Sequence, residues 1–390
     1  MIKMSFILDA IALILLASIV VVDIYKNRKN VKFFKVLVLR YSNKFVKKIE
    51  DFSEKYKIIT KGFGLISFLI SIPLILLICY FIFYSVLKLQ STVALVLPSV
   101  SGFKYPGPII SVPFFYWIIS IFLIIFFHET MHALVAAREG LKIKSYGLIY
   151  LLLIPIGAFV DVDEKRLKKI SLRSRIKIYA AGSFGNILLA LIILLLIFLV
   201  NLTADLTLEE KGVYFESTTP NTDAHRVNLT GVITRIDNHT ISNIMDLKKF
   251  LSNKEPGSIV TVYTTTGNYT LRLVEEGNTT MLGIQGARTY IVYKFNGDQA
   301  HTEVLIFLLY LLKLLEWIFN LSLGIGLANM LPIVPLDGGL IVRDISIHYF
   351  GKKRGTKIAK FISILFVLLI VFSLLLSLRP QIKVSLPQLF

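Results

Sequence analysis

The chain is poor in cysteine, histidine and acidic residues. Cys79 is its only cysteine in 390 residues, which excludes an intrachain disulfide and any zinc site built on paired cysteines. With only 6 histidines, two that fall at a regular spacing stand out. The 25 acidic residues face 43 basic ones, so the formal net charge is +18. What that charge means depends on where the basic residues lie.

Basic residues are concentrated in three stretches, 23–62, 138–177 and 343–360, whereas 201–301 is slightly acidic. A nucleic-acid partner would favour one continuous basic surface, so none is predicted. Basic stretches that alternate with neutral ones along a hydrophobic chain are typical of the positive-inside rule. We therefore expect a multi-pass protein of the cell membrane. Its basic loops would lie in the cytoplasm beside the anionic headgroups of the lipid bilayer, with both termini and 201–300 outside.

Long uncharged runs dominate the rest of the chain. Hydrophobic residues make up 55% of it, and the mean hydropathy is +0.70. A membrane-spanning helix needs about 20 mostly apolar residues. The fifth candidate run carries the charged residues Lys313 and Glu316. An amphipathic helix in the membrane interface is therefore an open alternative for its first half. The six candidate runs are Met4–Val22, Phe63–Leu89, Phe114–Ala137, Ile178–Val200, Val304–Leu327 and Ile358–Leu378.

Residues 201–300 have a different pattern. Apolar residues alternate with polar ones around Val260 and Leu271, which is typical of β-strands, and Ile244–Leu251 has the pattern of a short helix. About 100 residues suffice for one domain. Asn-x-Thr sequons favour an outer location for it, although richness in Asn and Thr alone is the open alternative. The sequons lie at Asn201, Asn228, Asn238, Asn268 and Asn278.

These patterns predict an α-helical polytopic membrane protein with about six transmembrane helices and an inserted β-rich α+β domain. Within it, Tyr146–Val160 is apolar but too short to span, which indicates a re-entrant segment packed against protein. The chain is therefore predicted to have four regions: an anchor helix with a basic loop (1–62), a first part of the membrane core (63–200), the outer domain (201–300) and a second part of the core (301–390).

His128, Glu129 and His132 form an HExxH motif on the third run. Helical spacing places the two imidazoles one turn apart on one face, where they can share a Zn²⁺ ion, and leaves the glutamate free to act as a base. The alternative is a pair of ordinary core histidines. Two histidines and a glutamate are costly inside a membrane helix, and such groups usually serve a function.

A catalytic zinc needs a third protein ligand. The other histidines lie outside the apolar runs, so a carboxylate at membrane depth is expected, and Asp337 qualifies. It follows a stretch broken by Pro332 and Pro335, and a glycine pair comes directly after it. The alternative is an aspartate that caps the next helix. The sequence thus predicts one Zn²⁺ per chain on His128, His132 and Asp337.

Taken together, these motifs resemble the site-2 protease family of intramembrane metalloproteases. The resemblance rests on His128-Glu129-x-x-His132 and on Asn329-x-x-Pro332-x-x-x-Leu336-Asp337-Gly338. It extends to Gly157-Ala158-Phe159-Val160, which looks like the family's substrate strand, and to Ala181-Gly182-Ser183-Phe184-Gly185-Asn186, which looks like the signature of the next span. Ser183 departs from the proline that many members carry.

The resemblance implies an intramembrane endopeptidase in which Glu129 is the catalytic base and the substrate is another membrane protein. It also implies a substrate-binding role for Asn329, Asn186, Gly157 and Phe159. The 201–300 region resembles a PDZ domain, with Gly212–Phe215 similar to its peptide-carboxylate loop and Gly231–Asp237 to its central strands. A peptide or a freed C-terminus is the partner expected there.

Two other functions compete with this interpretation. A catalytically silent relative would use the PDZ-like domain as a membrane scaffold, and degraded motif residues would favour it, yet all four are present. A zinc transporter would need polar groups along a path through the bundle, which the sequence does not offer.

Overall fold

The structure, a computed structural model, describes residues 2–42, 44–89, 94–99, 105, 107–151, 154–277 and 279–376. The chain divides into two compact units. The first comprises Met1–Leu196 and Lys313–Phe390, and the second comprises Ile197–Leu312. The four predicted region bounds remain predictions.

Helices form most of the first unit. Two of them, α6 and α9, extend into the second unit, because the unit boundaries fall within them, and α7 and α8 lie wholly in the second unit. The helices in chain order are α1 (Ile2–Lys26), α2 (Lys44–Lys55), α3 (Lys57–Leu87), α4 (Phe114–Arg138), α5 (Glu164–Leu167), α6 (Leu172–Thr207), α7 (Asp223–Arg226), α8 (Ile244–Ser252), α9 (Thr302–Ala328) and α10 (Asp337–Leu376).

Five of these helices, within the described residues, are long and apolar enough to cross a membrane: α3, α4, α6, α9 and α10. The first predicted span coincides with α1, which is not among the five, so the count of six remains a prediction. Asp9 of α1 is buried and accepts a hydrogen bond from the backbone N–H of Phe115 at 3.0 Å. Burial of that carboxylate at the start of α4 ties α1 to the helix that carries the HExxH motif.

α10 is two helices joined at Gly351, where φ is 75° and ψ is 163°. The stretch 337–350 is too short to span on its own, whereas 352–376 holds the last apolar run. The two parts fold back closely, since a Cβ on Gly355 would lie 2.4 Å from the carbonyl oxygen of Ser346. Asp337 therefore begins a half-helix, as the broken sequence before it predicts.

A four-stranded antiparallel sheet lies in the first unit, in the order β1-β2-β5-β6. The segment predicted to be re-entrant contributes to the antiparallel pair β5–β6, in which Tyr146 pairs with Val160 and Gly147 with Phe159. The described residues add no strand beyond β6, so that edge of the sheet is unpaired. The first-unit strands are β1 (Val31–Phe34), β2 (Leu37–Ser42), β3 (Leu95–Ser99), β4 (Ile109–Pro113), β5 (Ile143–Leu151) and β6 (Ile154–Val162).

The second unit is built on a sheet of order β12-β11-β9-β7-β16, with β10 added to β9. Fifteen buried apolar residues, among them Ile233 and Leu271, form its core beneath α8. Its strands are β7 (Leu208–Tyr214), β8 (Ser217–Thr218), β9 (Ile233–Ile236), β10 (His239–Thr240), β11 (Ile259–Thr264), β12 (Asn268–Arg272), β13 (Val274–Glu276), β14 (Thr279–Met281), β15 (Ile284–Gln285) and β16 (Arg288–Tyr293).

Part of the detailed sequence interpretation of this unit is confirmed. The alternation around Val260 and Leu271 forms β11 and β12, and the predicted short helix is α8. The assignment of Gly212–Phe215 as a loop is wrong, because Gly212 to Tyr214 lie in β7 and pair with β16. The PDZ fold itself remains a prediction, and the sequon at Asn278 lies outside the described residues.

Candidate metal centre

α4 carries the HExxH motif in its second half. It begins directly after Pro113 and ends at Arg138, where Gly140 takes a left-handed conformation and Leu141 N–H donates to the carbonyl of Ala136 at 3.0 Å. His128 and His132 are separated by one turn and project from the same face. Their side chains keep only 13% and 17% of their surface exposed. The site is therefore within the protein but open on one side.

Asp337 reaches the two histidines because the chain before it turns sharply. The backbone N–H of Gly338 donates to the carbonyl oxygen of Asn329 at 2.8 Å, which closes the turn. A Cβ on Gly338 would lie 2.1 Å from the carbonyl oxygen of Met330, and one on Gly339 would lie 2.3 Å from the carbonyl carbon of Ile333. Only glycine fits at both positions, so the glycine pair allows the close approach that places the carboxylate.

The three side chains meet at a common point. His128 Nε2 and His132 Nε2 are 3.1 Å apart, and each is 3.5 Å from one carboxylate oxygen of Asp337. Ligands held at the usual zinc distances in a tetrahedral arrangement are roughly 3.4 Å from one another. The donor set and its spacing thus fit a Zn²⁺ ion with three protein ligands and one open position.

Gly182 of α6 leaves space beside this point. A Cβ there would lie 2.3 Å from His132 Nε2 and 2.5 Å from His128 Nε2, close to where an ion shared by the two rings would sit. Any larger residue would fill the space between the rings and the helix behind them. The absence of a side chain at Gly182 is therefore part of the site.

α6 also orients both imidazoles from behind. The carbonyl oxygen of Ile178 lies 2.7 Å from His132 Nδ1, and the side-chain amide of Asn186 lies 3.2 Å from His128 Nδ1. The Nε2 atoms are left facing Asp337, and Ser183 Oγ donates to Asp337 Oδ2 at 3.5 Å. Partners of this kind fix ring orientation around a metal ion.

A buried ionic cluster ties α10 to the start of α6. Asp344 lies two turns after Asp337, and its carboxylate is 2.7 Å from Arg175 Nε. Tyr179 donates its hydroxyl to the same carboxylate at 3.3 Å, and Arg343 approaches it at 3.0 Å. The cluster therefore sets the position of the half-helix that begins with Asp337 relative to the helix that orients the histidines.

Glu129 lies beside the β-hairpin. Its carboxylate accepts a hydrogen bond from the backbone N–H of Val160 on β6. This N–H bonds to Glu129 rather than to β5, so it lies at the edge of β6 that no described strand pairs with. The candidate base and the unpaired strand edge consequently face the same space.

The predicted substrate-binding residues have different surroundings. Asn329 is half-buried, and its side chain makes no hydrogen bond within the described part of the chain. Gly157 and Phe159 lie on β6, where the Phe159 ring packs edge-on against Tyr41. Asn186 is fully buried against His128. No observation tests their contact with substrate, so all four remain predictions.

Sequence reasoning assigned no individual role to three positions that shape the site: Gly182, Arg175 and Asp344. A signal for them existed. Arg175, Tyr179, Gly182 and Asn186 fall at helical spacing on an otherwise apolar helix, and Asp344 follows Asp337 by two turns. A polar stripe of this kind inside a membrane helix indicates a face turned toward a functional centre.

Comparison with known proteins finds a matching family. The chain matches the family described as Peptidase family M50 over residues 116–373, well over half of its length. That range contains both histidines, the glutamate and Asp337. An uncharacterized protein of Methanocaldococcus jannaschii is 26% identical over 228 residues, which is 58% of this chain and 56% of that protein. The match thus spans little more than half the length of this relative.

Proposed function

Since this chain belongs to peptidase family M50, the site-2 protease family, and is a membrane metalloprotease, we propose that it is a zinc-dependent endopeptidase that cuts membrane-protein substrates within the bilayer. One observation carries the proposal. The facing nitrogens of His128 and His132, on a helix long and apolar enough to cross a membrane, meet the carboxylate of Asp337 at ligand distances, with Glu129 beside them.

His128, His132 and Asp337 are proposed to hold the ion. When bound, zinc would supply Lewis-acid activation of a water molecule and of the scissile carbonyl. Glu129 accepts a proton from the attacking water and passes it to the nitrogen of the leaving amine. The Val160 N–H holds the Glu129 carboxylate toward the open side of the site, which keeps the base in reach of the scissile bond.

The open edge of β6 is proposed to bind the substrate. Peptide bonds inside a helix are shielded by their own hydrogen bonds, so a transmembrane substrate must extend before it is cut. An extended segment can add to β6 as a further strand through backbone hydrogen bonds. Gly157 and Phe159 would contribute through their main chain. The unpaired amide of Asn329 would bind the substrate backbone from the opposite side.

Cleavage of single-span model substrates in liposomes tests the proposal. Glu129→Gln keeps the shape of the side chain but cannot accept the proton, so we expect normal zinc content and loss of cleavage. Glu316→Gln on α9 is the matched control, because Glu316 is an exposed carboxylate of a membrane helix away from the cluster, and it should cleave normally. If the protein were a catalytically silent scaffold, the wild type would also leave every substrate intact. Undiminished cleavage by Glu129→Gln would refute the assignment of Glu129 as the base.

The second unit is proposed to be a PDZ-like filter that binds a peptide or a freed C-terminus. A groove of about 540 Å³ supports this, and its lining includes Phe215, Thr218, His225 and Gly231. Binding of fluorescent C-terminal peptides to the full-length protein, compared with a variant in which Ser217→Trp adds a bulky side chain to the groove lining, is the test. Equal binding by both proteins would remove the groove from consideration.

The second unit and both termini are proposed to lie outside the cell, with the basic loops in the cytoplasm. The alternation of basic and neutral stretches supports this. Because Cys79 is the only cysteine, a Cys79→Ser background allows single new cysteines to be labelled from one side. We expect an impermeant reagent to label Ser258→Cys in intact cells and Lys352→Cys only after lysis. The reverse pattern would invert the topology.

A further inference from the structure

Asn186 is a buried polar residue in an unusual state. Its side chain has no exposed surface, and its amide nitrogen lies 3.2 Å from His128 Nδ1. Its amide oxygen is buried and has no hydrogen-bond partner within the described residues. A buried acceptor without a partner is costly, so such an atom calls for an explanation.

The chemistry of His128 supplies an explanation for this unpartnered oxygen. This ring faces His132 and Asp337 through Nε2, so Nε2 must be free of a proton to bind a metal ion. A neutral imidazole then carries its proton on Nδ1, which becomes a donor. An amide nitrogen facing Nδ1–H would set two donors against each other. A half-turn of the Asn186 amide about χ2 presents the oxygen instead and gives the unpartnered acceptor a donor.

We infer that Asn186 is a positioning residue that accepts the Nδ1–H of His128. The Ile178 carbonyl does the same for His132 at 2.7 Å. α6 thereby sets the tautomer of both histidines and turns both Nε2 atoms toward Asp337. The inference rests on the proposed metal centre and gives Asn186 a role other than contact with substrate.

The packing behind Asn186 holds it in place for this task. Ser322 of α9 donates its hydroxyl to the backbone carbonyl of Asn186 at 2.8 Å. A Cβ on Gly326 would lie 3.0 Å from the Asn186 Cβ, so α9 packs directly against it. The backbone is fixed from one side, and the amide has the His128 ring as its partner on the other.

Zinc affinity of the purified full-length protein, measured by competition with a chelator, tests the inference. Asn186→Leu keeps the volume and removes the acceptor, so zinc binding should weaken by roughly 10–100-fold. Asn186→Asp keeps an acceptor oxygen and should stay near the wild-type affinity. Ser85→Ala is the matched control, because it deletes a buried hydrogen bond between α3 and α10 without touching Asn186 or His128, and its affinity should equal that of the wild type.

Nitrogen chemical shifts of labelled histidine give a second readout that loss of packing alone would not move. We expect His128 to carry its proton on Nδ1 in the metal-free wild type and in Asn186→Asp, and to occupy both tautomers in Asn186→Leu. Wild-type zinc affinity in Asn186→Leu, or equal losses in the Asp and Leu variants, would overturn the inference. A wild-type protein that binds no zinc would instead refute the metal centre itself.

Discussion

Gly182→Ala is the smallest change that should destroy the metal centre. The new Cβ would lie 2.3 Å from His132 Nε2 and 2.5 Å from His128 Nε2, whereas real Cβ atoms essentially never approach other atoms within 3.0 Å. Relief of the closer contact requires a displacement of at least about 0.7 Å, and ordinary contact at roughly 3.5 Å requires more. Zinc–ligand distances tolerate only about 0.2 Å.

Both ring nitrogens must therefore move by several times what zinc coordination allows. We expect zinc affinity to fall by more than about 100-fold, since removal of a partner that merely orients a ligand already costs up to about that factor. This corresponds to more than about 2.8 kcal/mol. Chelator competition on the purified protein measures it, and cleavage of a model substrate should be lost in parallel.

Gly185→Ala is the control for a general change in the distance between α4 and α6. Its Cβ would lie 2.6 Å from Met131 Cγ and 3.0 Å from the carbonyl oxygen of Phe127, both on α4, so it disturbs the same helix pair without touching an imidazole. The flexible methionine can move aside, and the carbonyl contact needs a shift of only a few tenths of an ångström. Zinc affinity should stay within a few-fold of the wild type. If both variants lost zinc equally, the crowding of the rings would not be the cause, and the reasoning about Gly182 would fail.

Two further predictions concern buried residues that stabilise the first and the second unit. Asp344→Asn leaves Arg175 buried without its partner, so we expect the protein to lose roughly 3–5 kcal/mol of stability and zinc affinity to fall with it; an unchanged thermal midpoint in detergent would contradict this. Ile233→Ala opens a cavity in the core of the second unit, where Ile233 has no exposed surface. It should cost about 2–5 kcal/mol, seen as faster proteolysis within that unit, and zinc content should stay normal.

Much of the site could be predicted from sequence because its chemistry is local. His128 and His132 are brought together by helical spacing alone, and the need for a third ligand directed attention to the carboxylate after the broken stretch. The structure places Asp337 3.5 Å from both rings. Such inferences depend only on periodicity and on what a buried charge requires.

The rest of the site depends on contacts between distant segments. The role of Gly182 is visible only once α6 lies against α4, and the pairing of β2 with β5 joins residues more than 100 positions apart, such as Arg40 and Leu148. Local pattern does not show which strands pair. The same limit applies to Gly212–Phe215, because β16, the strand that pairs with β7 there, lies far along the chain.

The central claim is a single zinc ion held by two imidazoles and a carboxylate. X-ray absorption at the zinc edge, with zinc analysis of the purified wild type and of His128→Ala and Asp337→Ala, tests it most directly. We expect one zinc per wild-type chain, with nitrogen and oxygen ligands at about 2.0–2.2 Å, and little zinc in either variant. Equal zinc content in all three proteins, or no zinc in the wild type, would contradict the claim.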